Sequence, residues 1–295
     1  MASARPARPP GLRADTAFNH PLLAARVPDW LALYLEEDLG SGDITSTSVL
    51  EPATPGSARI VAREGCVLAA EVFARVGATV HAWYPDGCEV AAGTVTHDVS
   101  GPAIAILAGE RLALNILARM SGIATVTRSL MHELARACSG ATVAGTRKTT
   151  PGFRWFEKEA IRIGGGEPHR MSLGDEAMVK DNHREAVGSV AEAVRRVRRR
   201  HPDKVVSAEV ESLQDALAAA DAGAHWILID NQPPETGEAW AKAVWGRHPG
   251  VKVEASGGIR PETIARYGWA DRISLGWLTQ KVPAKDFGLD WGSAS

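Results

Sequence analysis

From Ala141 to Gly276 the sequence alternates short apolar runs with helical stretches, and that rhythm constrains the fold more than any other feature. The apolar runs are "ATVAG", "EAMV", "VVSAEV", "HWILID", "VKVEAS" and "RISLG". Between the later ones lie "SVAEAVRRVRRR", "LQDALAAADAG", "TGEAWAKAVWG" and "RPETIARYG". Short buried-type strands, each followed by a helix, predict parallel βα units whose helices cover the sheet. So many units in succession predict a barrel. In βα barrels the functional side chains occupy the C-terminal ends of the strands.

The first part of the chain has a different rhythm. "PDWLALYLEEDLG" predicts a helix with Pro28 in its first turn and Gly40 ending it. From Ala58 to Leu107 the pattern is β-rich, with "ARIVAREGCVLAA", "TVHAWY", "EVAAGTV" and "AIAILA" read as strands. The long helical pattern "GERLALNILARMSGIATVTRSLMHELARA" then forms a seam, with a break expected at Ser121-Gly122. The expected organisation is a flexible arm over 1–22, a first domain over 23–118 with the C-terminal tail packing on it, and a barrel over 119–290.

Composition matters mainly for what it excludes. A net charge of -2 over 295 residues leaves no field suited to nucleic acid, so any cationic cluster must serve a local purpose. No run of about 18 apolar residues predicts a membrane span. The N-terminal stretch carries arginines but lacks the apolar core of ~7–15 residues that a secretory signal needs. Cys66, Cys88 and Cys138 stand far apart without metal-type pairing, which predicts reduced thiols and a cytoplasmic protein.

The residues just past the apolar runs are charged in a pattern. Thr146, Arg147 and Lys148 follow the first run, Lys180 follows "EAMV", and His169 and Arg170 lie between them in "IGGGEPHR". Glu209 and Glu211 close the next run, Asp230 and Asn231 the next, then Ser256, Gly257 and Gly258, and finally Gly276. Cations crowded on one arc repel unless an anion joins them, because unpaired desolvated charge is costly. Carboxylates beside a polyphosphate typically hold Mg²⁺, often through water, or accept hydrogen bonds from ribose hydroxyls. The "ASGGI" and "SLGW" stretches offer backbone N–H groups that approach a phosphate closely. The predicted ligands are a phosphorylated sugar bearing a metal-bound diphosphate, and a second anionic substrate.

These motifs resemble the quinolinate phosphoribosyltransferase family (nicotinate-nucleotide pyrophosphorylase, decarboxylating). The likeness rests on "GTRKTTPGFR", "GGGEPHR" and "VKDNH", on "EEDLGSGDITS" and "ERLALNILARMSGIAT" upstream, and on "EVES", "IDN" and "EASGGI" downstream. It runs from Leu23 to Leu289 in the right order and spacing. The resemblance implies an α/β fold: an N-terminal α/β sandwich domain, then an open α/β barrel with fewer strands than the eight of a TIM barrel. It also implies a homodimer or higher oligomer, Mg²⁺ as cofactor, and no nucleic-acid or membrane partner. The implied reaction joins quinolinate to phosphoribosyl pyrophosphate, giving nicotinate mononucleotide, pyrophosphate and CO2. An alternative remains open at this point: a paralogous phosphoribosyltransferase that acts on a different aromatic or heterocyclic acid.

Carried over residue by residue, the resemblance assigns Arg147, His169 and Arg170 to the pyridine dicarboxylate, with Arg111 reaching the same pocket from a partner subunit. Lys148 and Lys180 bridge towards the diphosphate and the second carboxylate. Glu209 and Asp230 face ribose and metal, while Ser256, Gly257, Gly258 and Gly276 cradle the 5′-phosphate. Thr146 belongs to the same substrate-binding stretch.

Plainer readings stand beside some of these roles. Arg111, Asn115 and Arg119 recur at helical spacing and so also fit a solvated helix face. Arg154 is expected to pair locally with Glu157 or Glu159. His183 is expected to cap a helix, and Arg195–Arg200 to form a solvated helix end favoured by the macrodipole. Gly164–Gly166 is read as a loop that approaches substrate. The chain departs from the family where members usually read "GALTH": here "GWLTQ" sets Trp277 and Gln280 near the expected phosphate end.

Overall fold

The computed structural model describes residues 25–69 and 78–292; the expected arm over 1–22 lies outside them. The chain divides into two compact units, neither continuous in sequence. One comprises the described parts of His20–His132, Gly145–Pro168 and Gly276–Ser295, and the other Glu133–Ala144 and His169–Leu275.

The unit that begins first opens with α1 (Val27–Leu39), which has Pro28 in its first turn and ends at Gly40, with φ 53°. A short α2 (Ile44–Val49) follows, its first turn capped by Asp43, whose carboxylate accepts from Ser46 N–H at 2.9 Å. Strands β1 (Pro55–Ala62), β2 (Cys66–Val67), β3 (Thr79–Ala82), β4 (Glu89–Val90) and β5 (Val95–Pro102) come next. They lead into the long helix α3 (Ala103–Arg136). The unit is completed by α4 (Arg154–Ile163) and, late in the sequence, by β12 (Phe287–Trp291). Its main sheet has the order β12-β1-β5-β3 and is antiparallel throughout, with Ile60 facing Leu289 on one side and His97 on the other. Ile106, Ala113, Leu114 and Leu117 present one stripe of α3, and they pack with Ala58, Ile60, Val99 and Phe287 of the sheet. Each fully buried aliphatic side chain there contributes about 1.5–3 kcal/mol.

Two sequence expectations fail in this unit. "AIAILA" is the first two turns of α3 and not a strand. Gly101 and Pro102 end β5 directly before it, and a run made only of Ala, Ile and Leu satisfies a period of 2 or of 3.6 equally well. Ser121-Gly122 does not break α3 either. Ser121 is fully buried and its Oγ accepts from Ala69 N–H at 3.2 Å. At Gly122 the Pro283 carbonyl oxygen would stand 2.3 Å from an added Cβ, so the glycine serves close approach to the helix flank.

The second unit is a six-stranded parallel sheet in the order β6-β11-β10-β9-β8-β7, open between β6 and β7. Its strands are β6 (Thr142–Ala144), β7 (Ala177–Val179), β8 (Val206–Val210), β9 (Trp226–Asp230), β10 (Lys252–Ser256) and β11 (Arg272–Ser274). Between them run α5 (Asp181–Val187), α6 (Val190–Arg200), α7 (Leu213–Asp221), α8 (Pro234–Arg247) and a 3₁₀ turn (Pro261–Tyr267). Ser189 and Ser212 cap α6 and α7, accepting from Glu192 and Asp215 N–H.

Alternation along these strands sorts the side chains by face. Val206, Ala208, Val210, Ile227, Ile229 and Val253 form one apolar cluster with Val194, Ala216, Ala220, Ala241 and Val244 of the helices. The intervening residues, Ser207, Glu209, Asp230, Glu254, Ser256, Arg272 and Ser274, therefore share the opposite face, which is unusually polar for a parallel sheet. No helix among the described residues is long and apolar enough to cross a membrane.

Candidate active site

The polar face of the parallel sheet contains a buried charge network. Arg272 and Glu254 are register partners on β11 and β10, and Arg272 Nε donates to Glu254 Oε2 at 2.6 Å. Ser274 Oγ donates to Glu254 Oε1 at 2.5 Å. The Arg272 guanidinium also stacks on the Trp226 ring, 3.8 Å from its centroid, and approaches Glu176, which accepts from the Ser207 hydroxyl. Burial opposes charge on Glu254, but Arg272 and His169, with hydrogen bonds from His169 and Ser274, override it and hold the carboxyl far below the ordinary carboxylate range.

His169 joins this network. Its Nδ1 accepts from the Arg170 N–H at 2.7 Å, and its Nε2 lies 3.0 Å from an Arg272 terminal nitrogen and 3.5 Å from Glu254 Oε2. The residue adopts φ 62°, a left-handed conformation uncommon for a non-glycine, and is 5% exposed. Arg170 is also buried, and its guanidinium donates to the Glu176 carbonyl at 2.9 Å. The sequence motif thus marks a pair that the fold anchors from beneath.

At the strand ends the expected residues come together. Lys180, directly after β7, pairs with Glu209 of β8 at 2.7 Å. Asp230 closes β9 and is the register partner of Ser256 on β10. Asn231 Nδ2 donates to Asp230 Oδ2 at 2.5 Å. Gly257 has φ 85° and stands so close to Asn231 that an added Cβ would lie 2.2 Å from its Oδ1. Gly258, at φ 63°, faces open space, into which any side chain would project. His183 caps α5 as expected, with Nδ1 accepting from Lys180 N–H at 3.0 Å.

The other unit carries the remaining residues. Thr146 Oγ1 accepts from Lys148 N–H at 3.0 Å, and Arg147 and Lys148 are exposed. The Lys148 side chain runs over Gly276, where an added Cβ would lie 2.8 Å from its Cδ. Thr279, on the short α9 (Trp277–Gln280), donates from Oγ1 to the Lys148 carbonyl at 2.5 Å. Trp277 is half-buried and Gln280 exposed. Arg111 is exposed on α3.

Several local expectations are refined. Arg154 Nε donates to Thr149 Oγ1 at 2.9 Å, and burial, then Arg147, lowers its pKa while Glu157 opposes the shift. Glu159 pairs with Arg162, and Glu157 with Arg119. Arg119 is therefore no solvated helix residue. Gly164 owes its identity to α3, since a Cβ would stand 2.6 Å from the Ala124 carbonyl oxygen, and Gly164 N–H closes α4 on the Ala160 carbonyl. Arg195 and Arg196 pair with Glu192 along the solvated flank of α6. Cys66, Cys88 and Cys138 are free, and burial pushes the Cys66 thiol up to about 11.

Sequence reasoning did not single out Glu254, Arg272 or Thr279, and it gave Glu157 to Arg154 and not to Arg119. A charged residue alternating with apolar ones inside a buried strand would have flagged the first two.

Glu209 and Asp230 are two carboxylates, and the described residues contain no group of three or more His, Cys, Asp or Glu placed to hold a metal. Two carboxylates suit Mg²⁺, which retains waters and takes further oxygens from substrate phosphates, and not a closed all-protein metal cage.

Comparison with known proteins agrees with these motifs along most of the chain. Residues 43–121 match the family described as quinolinate phosphoribosyl transferase, N-terminal domain, and residues 123–290 match its C-terminal domain. A relative from Methanothermobacter thermautotrophicus, a probable nicotinate-nucleotide pyrophosphorylase (carboxylating), is 42% identical over 87% of this chain and 95% of its own. The Homo sapiens nicotinate-nucleotide pyrophosphorylase (carboxylating) is 40% identical over 90% of this chain and 91% of its own. The crystal structure of NadC from Streptococcus pyogenes superposes with a TM-score of 0.83 at 35% identity, covering 91% of this chain and 98% of that one.

Proposed function

The chain belongs to the quinolinate phosphoribosyltransferase family, and from that premise we propose how its own residues carry the reaction. It is a pentosyltransferase that moves the phosphoribosyl group of phosphoribosyl pyrophosphate to quinolinate, giving nicotinate mononucleotide, pyrophosphate and CO2 in NAD biosynthesis. The alternative acceptor acids are not favoured.

We assign Arg147 and Arg170 to the two carboxylates of quinolinate and Thr146 to the same substrate, with His169 fixing the Arg170 backbone through Nδ1. Arg111 would reach the same substrate from a partner subunit; its exposure on α3 supports that reading. Ser256, Gly257, Gly258 and Gly276 would receive the 5′-phosphate. Lys148 and Lys180 would face the diphosphate, and Glu209 and Asp230 the ribose hydroxyls and Mg²⁺, partly through water. When bound, Mg²⁺ would neutralise charge on the diphosphate oxygens.

The Lys180–Glu209 pair carries the residue-level reading. Before substrate arrives the two charges satisfy one another, and a diphosphate would draw the ammonium towards itself. As the bond from ribose C1 to pyrophosphate breaks, Lys148 and Lys180 stabilise charge growing on the leaving oxygen; one preorganised contact of this kind is worth ~100–1000-fold in rate. The pyridine nitrogen attacks C1 and becomes quaternary. The bond to the adjacent carboxylate then breaks, CO2 leaves, and its electron pair stays on the ring carbon, stabilised by the cationic nitrogen until a solvent proton arrives. No side chain need act as nucleophile or base in that step, so most of the catalysis is positioning and electrostatics. The reading includes a homodimer and a cytoplasmic location, the latter supported by three free cysteines.

The test is incubation with phosphoribosyl pyrophosphate and a panel of pyridine carboxylates, with quinolinate labelled at the 2-carboxyl. Mass spectrometry should show a mononucleotide that has lost the label, formed from quinolinate alone. Consumption of a different acid with quinolinate untouched would overturn the assignment.

A further inference from the structure

We propose that Arg119 is a positioning residue for the phosphoribosyl pyrophosphate site, because its guanidinium closes a circuit of hydrogen bonds that fixes Lys148 against Gly276. The proposal rests on the assignment of Lys148 and Gly276 to that substrate.

The circuit lies wholly within one unit. Arg119 Nε and one terminal nitrogen donate to Glu157 Oε1, at 3.3 and 2.9 Å. That same terminal nitrogen donates to the Thr279 carbonyl, and the other to the Val282 carbonyl at 2.7 Å. Glu157 is fully buried and turns its other contacts to the substrate loop. It accepts from Thr150 N–H at 3.0 Å through Oε2 and from Thr150 Oγ1 at 3.0 Å through Oε1. Thr279 completes the ring: its hydroxyl reaches the Lys148 carbonyl at 2.5 Å and the Gly276 carbonyl at 3.3 Å.

The two segments that carry Lys148 and Gly276 are far apart in sequence, yet each is tied to the same guanidinium. Arg suits this place because its planar fork satisfies a carboxylate and two carbonyls simultaneously, whereas a lysine ammonium on a flexible stem cannot hold all three directions. Lys148 is itself exposed, so its backbone must be held from behind, which Thr279 does at the Lys148 carbonyl. The buried carboxylate and the half-buried guanidinium spend their contacts on the protein. Their effect passes through the backbone of the loop.

The experiment compares Arg119→Lys, Thr279→Val and the double variant by steady-state kinetics, with melting temperature measured alongside. Arg119→Lys retains a cation for Glu157, and Thr279→Val retains volume while removing the hydroxyl link. Each single variant should lower kcat/KM for phosphoribosyl pyrophosphate roughly 10- to 100-fold, the range a displacement near 1 Å produces. The KM for quinolinate should change less than about threefold. The double variant should cost little more than the worse single one, because both cut the same ring. A lower melting temperature with unchanged kinetics, or equal effects on both substrates, would overturn the proposal. Lys148→Ala in the same series separates the two layers: if it leaves use of phosphoribosyl pyrophosphate intact, the assignment of Lys148 is wrong, and the proposal falls for that separate reason.

Discussion

Replacing Glu254 by glutamine keeps the shape of the side chain and removes its charge from the centre of the buried network. The carboxylate accepts from Arg272 Nε at 2.6 Å and from Ser274 Oγ at 2.5 Å, with only 1% of its side chain exposed. An amide has a single acceptor oxygen, so its NH₂ must face either the guanidinium and His169 or the serine. Ser274 can rotate its hydroxyl, but Arg272 has no acceptor to offer. With its oxygen kept on Arg272 and its NH₂ on Ser274 the amide still leaves the guanidinium buried without the carboxylate's charge, and breaking a buried ion pair from one side costs roughly 3–5 kcal/mol. For a unit of this size each kcal/mol moves the melting temperature by about 2–4 °C, so Glu254→Gln should melt roughly 6–20 °C lower.

Circular dichroism against temperature at neutral pH reads the loss, with Ser274→Ala as a graded comparison at about half the cost. The pH dependence has a definite sign. The folded carboxyl titrates below the ordinary glutamate value of 4.5, so its contribution is complete above that pH and is lost as pH falls towards the folded value. The gap between wild type and variant should therefore stay constant above 4.5 and narrow below it. A melting temperature within about 2 °C of wild type at neutral pH would refute the claim that this charge organises the sheet interior.

Two other outcomes follow. Burial lowers the His97 imidazole from 6.5 to about 4, so the unfolded chain takes up a proton first on acidification. Stability should fall by about 3 kcal/mol as pH drops through that window, and His97→Gln should flatten the slope in urea titrations by close to one proton; equal slopes would discount the histidine. If Arg111 is donated in trans, Arg111→Ala and Lys148→Ala should each be nearly inactive, and mixing them should restore part of the activity in heterodimers. No recovery after demonstrated subunit exchange would place Arg111 in its own subunit.

The legible parts of this protein are the strand ends, whose place the topology fixes. Lys180, Glu209, Asp230 and Ser256 follow apolar runs that could hardly be anything but strands, and the barrel rule picks them out without any knowledge of their contacts. "AIAILA" was illegible because a sequence of only small and aliphatic residues carries no period. Ser121-Gly122 misled because glycine marks both breaks and close approach, and only the Pro283 carbonyl tells which. Glu254 and Arg272 were hidden inside runs read as apolar, their partnership set by strand register that spacing cannot supply. The Arg119–Glu157 pair links a helix to a loop, and nothing local in either segment announces the other.

The pairing of β1 with β12 also bears on how the polypeptide emerges from a ribosome. The antiparallel sheet lacks its outer strand until Phe287–Trp291 has been made, whereas the parallel sheet has all its strands once Ser274 is out. A nascent chain would thus hold the Pro55–Ala62 edge unpaired on one side throughout elongation, while the later-encoded unit assembles. Such an edge is a template for pairing with another chain. Arg63 beside it, which meets Asp290 only once β12 is made, gives that waiting edge a cation that discourages two nascent chains from joining there.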